Sequence, residues 1–373
     1  IVEEFLEKPV LRIDKLYETL LMLHTALPDK LGNGFALPLL KIGLELTYRC
    51  NMKCIFCFQQ ELRGKKETGE LSADEFINFI SQIPRYTLIT FTGGEPFIKK
   101  DNLEIIKHAL KKHWCNIITN GVMMTEEHVK TFVDNKLVLL GVSIDGIGKS
   151  HDQLRGLSGA YDKIIHNVKL LQGYKKSKKA KYPKLDIKTV IIQENLDMLE
   201  DVYQCAVDLD ADFLTLSLLK GSPMQYRSEF MGDLKDDMLY ASSPVEPYVD
   251  PKEMVRKISK IMEMSRGKRL KIRLYPMTSH AQGMETHFDN TRELIHRYKP
   301  CLMPWSCLMI SPVGDAYPCI VYKVGNVRES SLKSIWNSSR YREFRRKLSV
   351  VGLFPSCVGC CLLYERSHAN LAN

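Results

Sequence analysis

Cys50, Cys54 and Cys57 stand in the run Cys-Asn-Met-Lys-Cys-Ile-Phe-Cys, directly after an apolar segment that reads as a strand. Three thiolates on one short loop, at spacings of four and three residues, can wrap three corners of a cubane iron–sulfur cluster and leave its fourth iron without a protein ligand. An open iron is a place for a substrate or cofactor to bind. A structural zinc site instead closes with four ligands in two pairs, and no fourth Cys or His follows Cys57 closely, although one could arrive from elsewhere in the fold.

Further down the chain Cys301, Cys307, Cys319, Cys357, Cys360 and Cys361 form a second group. Cys301 and Cys319, followed by Cys357 and Cys360, give two pairs of thiolates that suit either zinc or a second iron–sulfur cluster. The chain holds 11 cysteines, an odd number with no secretory signal, which argues against a disulfide framework and for metal ligation. Cys115 and Cys205 sit apart, in apolar contexts where a cysteine packs as a small hydrophobe.

Three more segments carry polar groups at strand ends. Phe91-Thr92-Gly93-Gly94-Glu95-Pro96 has adjacent glycines that let a backbone approach a ligand, and a carboxylate that can pair with an ammonium. Taken alone it is a turn. Val142-Ser143-Ile144-Asp145-Gly146 leads to His151-Asp152-Gln153-Leu154-Arg155-Gly156, where the Arg155 fork suits a carboxylate, although a lone arginine more often makes a surface ion pair. Thr119-Asn120-Gly121 is a weaker candidate for the same pocket, and His151 has no assigned role.

The elements that must position these residues alternate. Strand-like runs at 42–46, 88–92, 116–119, 137–144, 185–192 and 213–218 are separated by helical patterns at 73–81, 101–112, 126–134, 160–172 and 197–209. This is the signature of a parallel sheet with helices outside. Six strands are too few for the eight-stranded barrel, so the expected fold is α/β, a partial (β/α)6 TIM-like barrel over 41–295. Residues 1–40 read as an N-terminal helical cap (Glu3–Lys8, then Ile13–Ala26). Residues 219–250 exceed an ordinary connection and are expected to form a lid or substrate loop. From Lys299 the composition turns Cys-, Pro- and Trp-rich, which marks 296–373 as a small C-terminal domain, with a hairpin turn at Gly314 leading to Cys319.

Composition sets the outer bounds. The net charge of +9 lies largely in local Lys and Arg runs that read as solvated faces, so nucleic acid is not an expected partner. No stretch approaches a bilayer span and the N-terminus is acidic and amphipathic, so the expected location is the cytoplasm, with no membrane partner. The missing initiator Met suggests that some N-terminal residues precede Ile1.

CxxxCxxC with Phe56 before its third cysteine resembles the signature of the radical S-adenosylmethionine (SAM) superfamily. The resemblance implies a [4Fe–4S] cluster on Cys50, Cys54 and Cys57 whose open iron is chelated by the amino and carboxylate groups of SAM. One electron then cleaves SAM, and a 5′-deoxyadenosyl radical abstracts a substrate hydrogen. Thr92, Gly93, Gly94, Glu95 and Pro96 resemble the family's GGEP motif, which holds the methionyl amino group. Ser143 is implied near the ribose and Arg155 near the carboxylate, with Phe56 and Asn120 in the same pocket.

The Gly314–Cys319 element and the helix that begins at Ser338 resemble the auxiliary-cluster domain called SPASM and its shortened form, twitch. The full pattern continues with more cysteines than this chain has after Cys361, which favours the shortened form. It implies one auxiliary [4Fe–4S] cluster on Cys301, Cys319, Cys357 and Cys360, with Cys307 and Cys361 as alternates.

Enzymes of this type modify peptides and proteins, the first expectation here, or act on small molecules such as sugars, aminoglycoside-like alcohols and tetrapyrroles. The stretch before Lys41 is short for the winged-helix module that peptide maturases often carry, which narrows the margin. A flavodoxin- or ferredoxin-type electron donor is implied as a further partner. A non-catalytic iron–sulfur or zinc scaffold is the alternative from another class. No general base is identified; Asp and Tyr residues of 219–250, Tyr317 and Tyr322 are candidates by location only.

Overall fold

The computed structural model describes residues 23–57, 69–219, 248–285, 288, 294–319, 322–357, 359–360 and 362–366. Most of the expected lid, the N-terminal residues 1–22 and Cys361 lie outside the described residues.

Residues 23–30 form helix α1, longer than the expected stop before Pro28. Then β1 (Lys41–Glu45), α2 (Ala73–Ser81), β2 (Leu88–Thr92), α3 (Asn102–Leu110), β3 (Cys115–Thr119), α4 (Glu126–Asp134) and β4 (Leu139–Ser143) alternate as the pattern requires. They are followed by α5 (Lys149–Arg155), α6 (Ala160–Ser177), β5 (Lys184–Ile191), α7 (Leu199–Asp208) and β6 (Phe213–Leu218). All six expected strands are present. Local chemistry marks the helix starts: Ser72 and Glu75 close a capping box on α2, and Thr125 with His128 does the same on α4.

Beyond β6 come α8 (Pro251–Met264), β7 (Lys271–Tyr275), α9 (Gln282–Glu285), α10 (Leu294–Arg297), β8 (Cys307–Ile310), β9 (Asp315–Tyr317), β10 (Gly325–Asn326), α11 (Leu332–Trp336) and α12 (Ser339–Val351). One sheet runs β10-β9-β8-β1-β2-β3-β4-β5-β6-β7. It is parallel from β8 through β7, and β9 and β10 continue it antiparallel. The sheet therefore exceeds the six expected strands at both edges. The cysteine-rich C-terminal segment, expected as a small domain of its own, contributes β8 in parallel register with β1, Lys41 opposite Cys307 through Leu44 opposite Ile310.

Side chains alternate across the sheet. Ile42, Leu44, Ile89, Phe91, Ile117, Leu140, Val142, Leu185, Ile187, Leu214 and Leu216 are buried in the main core with the apolar stripes of the helices. The opposite face mixes Gly43, Thr92, Asn116, Gly141, Ser143, Asp186, Lys188, Thr215 and Arg273 with apolar Leu88, Ile118, Leu139, Val190, Phe213 and Met309. Among the described residues no helix is long and apolar enough to cross a membrane.

Candidate active site and cluster centres

The first cysteine loop leaves the C-terminal end of β1 and is fastened on two sides. From β2, the amides of Gly94 and Glu95 donate to the carbonyls of Thr47 and Arg49, both at 2.8 Å. The glycines are required there: a Cβ on Gly93, whose φ is +135°, would lie 2.6 Å from the Thr47 oxygen, and one on Gly94 would lie 2.3 Å from that of Arg49. From α5, the carbonyls of Arg155 and Leu154 accept the amides of Lys53 and Ile55 at 2.9 and 3.0 Å. Gly156 ends α5 in a left-handed conformation, and its lack of a side chain admits the Lys53 carbonyl.

Two side chains aim N–H groups at the sulfurs. Arg155 Nη1 lies 3.6 Å from Cys54 Sγ, and Asn120 Nδ2 lies 3.9 Å from Cys50 Sγ and 2.7 Å from Asn51 Oδ1. Arg155 is itself held by Asp145, a wholly buried carboxylate that also accepts the Val190 amide at 2.7 Å, and it lies over the Phe56 ring at 5.3 Å. Burial pulls the Arg155 guanidinium down, but Asp145 and Cys54 together hold it above its ordinary value. Burial pushes the Cys54 thiol up, and Arg155 opposes that shift.

Glu95, expected to meet an ammonium, is wholly buried and turned toward β3. Its Oε1 accepts the Thr119 hydroxyl at 2.7 Å and the Phe97 amide at 3.2 Å, and its Oε2 accepts the Asn120 amide at 2.7 Å. Burial pushes this carboxyl up to about 7 against those hydrogen bonds. Thr92 and Ser143 are partly buried at the ends of β2 and β4, on the face opposite the main core, and Pro96 is buried beneath the turn. Hydrogen bonds thus link Cys50, Cys54, Gly94, Glu95, Asn120 and Arg155 around the cysteine loop, with Gly93 packed against Thr47 and Phe56 under the Arg155 guanidinium.

Sequence reasoning assigned no role to two contributors to this network, Glu70 and Asp145, and placed a third, Thr119, only as a weaker candidate. Glu70 Oε1 accepts the Thr47 hydroxyl at 2.7 Å and the Tyr48 amide at 2.9 Å; Thr119 and Asp145 tie the neighbouring strands. Thr119 and Asp145 lie inside the Thr-Asn-Gly and Ser-Ile-Asp-Gly motifs, whereas nothing near Glu70 signals its role.

The donor set fits an iron–sulfur cluster. None of Cys50, Cys54 and Cys57 is in a disulfide, and N–H donors point at two of the sulfurs, as they do at cluster-ligating thiolates. Among the described residues no three Cys, His, Asp or Glu side chains are gathered closely enough to hold a single metal ion. A cubane spreads its ligating sulfurs more widely than one tetrahedral ion does.

In the C-terminal segment Cys357 neighbours Cys301, Cys319 and Cys360, the four expected to act together, and Cys301 also neighbours Cys307. Burial pushes the Cys301 thiol up to about 12 and that of Cys307 up to about 11. Buried thiols of this kind ionise readily only beside a strong positive charge, which metal supplies. Of the base candidates, Tyr317 places its hydroxyl 3.4 Å from Asp315 and burial raises it far above its ordinary value. Tyr322 packs against Phe344 with the rings tilted, centroids 4.8 Å apart.

Residues 44–206 match the radical SAM superfamily, and residues 301–361 match the SPASM iron–sulfur cluster-binding domain. Over 86% of its length the chain is 25% identical to the AdoMet-dependent heme synthase of Methanosarcina barkeri, covering 90% of that protein. It is 24% identical to the subtilosin biosynthesis protein AlbA of Bacillus subtilis, over 82% of this chain and 61% of the relative. In fold it is similar to Streptococcus suis SuiB bound to S-adenosylmethionine, with a TM-score of 0.63 and 16% identity over 88% of this chain and 73% of that one. With the three-thiol loop after β1 and the four thiols on either side of β8, these matches place the chain in the radical SAM superfamily, as an enzyme that uses a [4Fe–4S] cluster, SAM and an auxiliary iron–sulfur cluster in a C-terminal SPASM domain.

Proposed function

We propose that the chain modifies a peptide or protein substrate at an unactivated carbon. When bound, the cluster and SAM supply one-electron cleavage of the cofactor and abstraction of a hydrogen atom. The observation that carries the radical chemistry is the fastening of the segment 47–55 to Gly94, Glu95, Leu154 and Arg155, which holds the three-cysteine loop at the C-terminal end of β1. Cys50, Cys54 and Cys57 hold the first cluster. Thr92, Gly93, Gly94, Pro96, Asn120 and Ser143 line the cofactor side. Glu95 and Arg155 act there mainly by positioning, since their hydrogen bonds run to β3, Asp145 and Cys54.

Cys301, Cys319, Cys357 and Cys360 hold one auxiliary [4Fe–4S] cluster. A flavodoxin- or ferredoxin-type protein in the cytoplasm delivers the electron. The relative named for subtilosin biosynthesis supports the peptide substrate. A tetrapyrrole substrate is the second reading, favoured by the heme synthase relative, which aligns over 90% of its own length.

Anaerobic reconstitution, iron counting and incubation with SAM and dithionite test the proposal. Wild type is expected to carry about eight irons and release 5′-deoxyadenosine, Cys54→Ala to carry about four and release none, and Cys357→Ala to carry about four with cleavage retained. Absence of 5′-deoxyadenosine from wild type would overturn it.

A further inference from the structure

Asp145, two residues beyond β4, has every polar atom engaged. Its amide donates to His151 Nδ1 at 3.2 Å, and its carbonyl accepts Asn195 Nδ2 at 2.9 Å. Its Oδ1 accepts the Val190 amide at 2.7 Å, and its Oδ2 receives both Nε and Nη2 of Arg155. Asn195 is held in turn by the Ile192 amide, which meets its Oδ1 at 3.0 Å, and by the Val190 carbonyl, which accepts its Nδ2 at 2.8 Å. Asp145, His151 and Asn195 are wholly buried, and only 11% of the Arg155 side chain is exposed.

A carboxylate gripped on all sides aims the guanidinium as well as neutralising it. Asp145 takes the edge of the fork that carries Nε and Nη2, and Nη1, on the other edge, lies 3.6 Å from Cys54 Sγ. The cationic group therefore stands next to the sulfur, with its counter-charge behind it. The resemblance to the family implies that Arg155 meets the SAM carboxylate, yet all three of its nitrogens are engaged by Asp145 or Cys54. Reduction adds negative charge to an iron–sulfur cluster and its ligating sulfurs, so a charged N–H donor at a sulfur favours the reduced form. Burial strengthens that effect, because little water is present to screen it.

We propose that Arg155, aimed at Cys54 by Asp145, raises the reduction potential of the cluster on Cys50, Cys54 and Cys57, and that His151 is a positioning residue that fixes the Asp145 backbone for this task. The proposal rests on the radical SAM function above and concerns how readily its first cluster takes up the electron that precedes SAM cleavage.

The test uses the full chain, reconstituted anaerobically without SAM and poised at a series of potentials while the reduced cluster is followed by electron paramagnetic resonance. The signal of the first cluster is the one that Cys54→Ala lacks. Arg155→Met is expected to make reduction at least about tenfold less favourable, a fall of about 59 mV for one electron, with iron content unchanged. Because Arg155→Met leaves the Asp145 charge stranded, Arg155→Met with Asp145→Asn is measured in parallel and should show a fall as well. His151→Leu should give a smaller fall, and His151→Asn, whose Oδ1 can accept the Asp145 amide, should restore the potential of wild type. SAM affinity is measured on the same proteins.

An unchanged or raised potential in both Arg155 variants overturns the proposal, and a fall confined to the single variant does so too, since it traces to the stranded carboxylate. Loss of the first cluster's iron from both variants would make Arg155 a support of the loop and overturns it equally. So does weakened SAM binding with the SAM-free potential unchanged, which would give the guanidinium to the cofactor. A wild-type potential in His151→Leu, or a fall that His151→Asn does not reverse, overturns the role of His151. Failure of the underlying function shows separately, as absence of 5′-deoxyadenosine from wild type with dithionite.

Discussion

Glu95 puts a carboxyl where no water reaches it, yet three donors point at its oxygens. With burial pushing it up to about 7 from the ordinary 4.5, the folded chain holds a proton that the unfolded chain has already lost over that interval. The stability this group contributes is therefore fully present below about 4.5 and is lost as pH rises through about 7, at about 1.4 kcal/mol for each tenfold difference in proton affinity between the folded and unfolded chain. Glu95→Gln cannot titrate. Urea unfolding from pH 4.5 to 8 should show wild type exceeding the variant by a margin that shrinks as pH rises; a margin that grows would mean that the hydrogen bonds, not burial, govern the group. The residue types were legible because thiolates, paired glycines and an arginine fork have few other uses at such spacings. Their partners were not: that Glu95 faces Thr119 and Arg155 faces Asp145 depends on which strand ends the sheet brings together.

Helix α4 shows the opposite pH dependence from a similar cause. His128 closes its capping box with Thr125, meets Asn102 Oδ1 through Nε2 at 2.8 Å and packs tilted against Phe97, centroids 4.4 Å apart. Burial lowers its pKa to about 4 from 6.5, so in that window the unfolded chain binds the extra proton. Its contribution is present above 6.5 and lost as pH falls toward 4. His128→Asn should thus be most destabilising, by about 1–2 kcal/mol, above pH 6.5, with its difference from wild type closing in acid. A pH-independent difference, measured by the same unfolding series, would remove the histidine's titration from the account. Helices and strands up to β6 were legible because apolar periodicity dominates there. β7 was not, since Lys271-Ile-Arg-Leu-Tyr275 carries cations on the face opposite the main core and only Ile272 and Leu274 on the other. β8 to β10 are short, and only their Gly314 turn carries a local signal.

At the scale of the whole molecule, the cysteine-rich segment is fastened to the barrel through the sheet itself. β8 pairs with β1 along Lys41–Leu44, the amides of Leu40 and Lys41 both reach the Ser306 carbonyl, and Trp336 Nε1 donates to Leu37 at 2.8 Å. Ala36 and Asn337 exchange bonds of 2.9 and 3.0 Å, and the buried Arg345, lying on Tyr341 and Trp336, donates to Pro304 and Gly34. β1 is the strand that launches the Cys50–Cys57 loop. Removing β8 would make it an edge with unpaired backbone groups and uncover Leu44 and its neighbours. A chain cut after residue 296 should therefore lose far more than its auxiliary cluster: iron counting should find well under the about four irons of the first site, and little 5′-deoxyadenosine. Full-length Cys357→Ala is the control, losing auxiliary iron while β8 stays in place. Should the cut chain keep about four irons and cleave SAM as the control does, the two iron sites fold independently and the pairing of β1 with β8 contributes little to either.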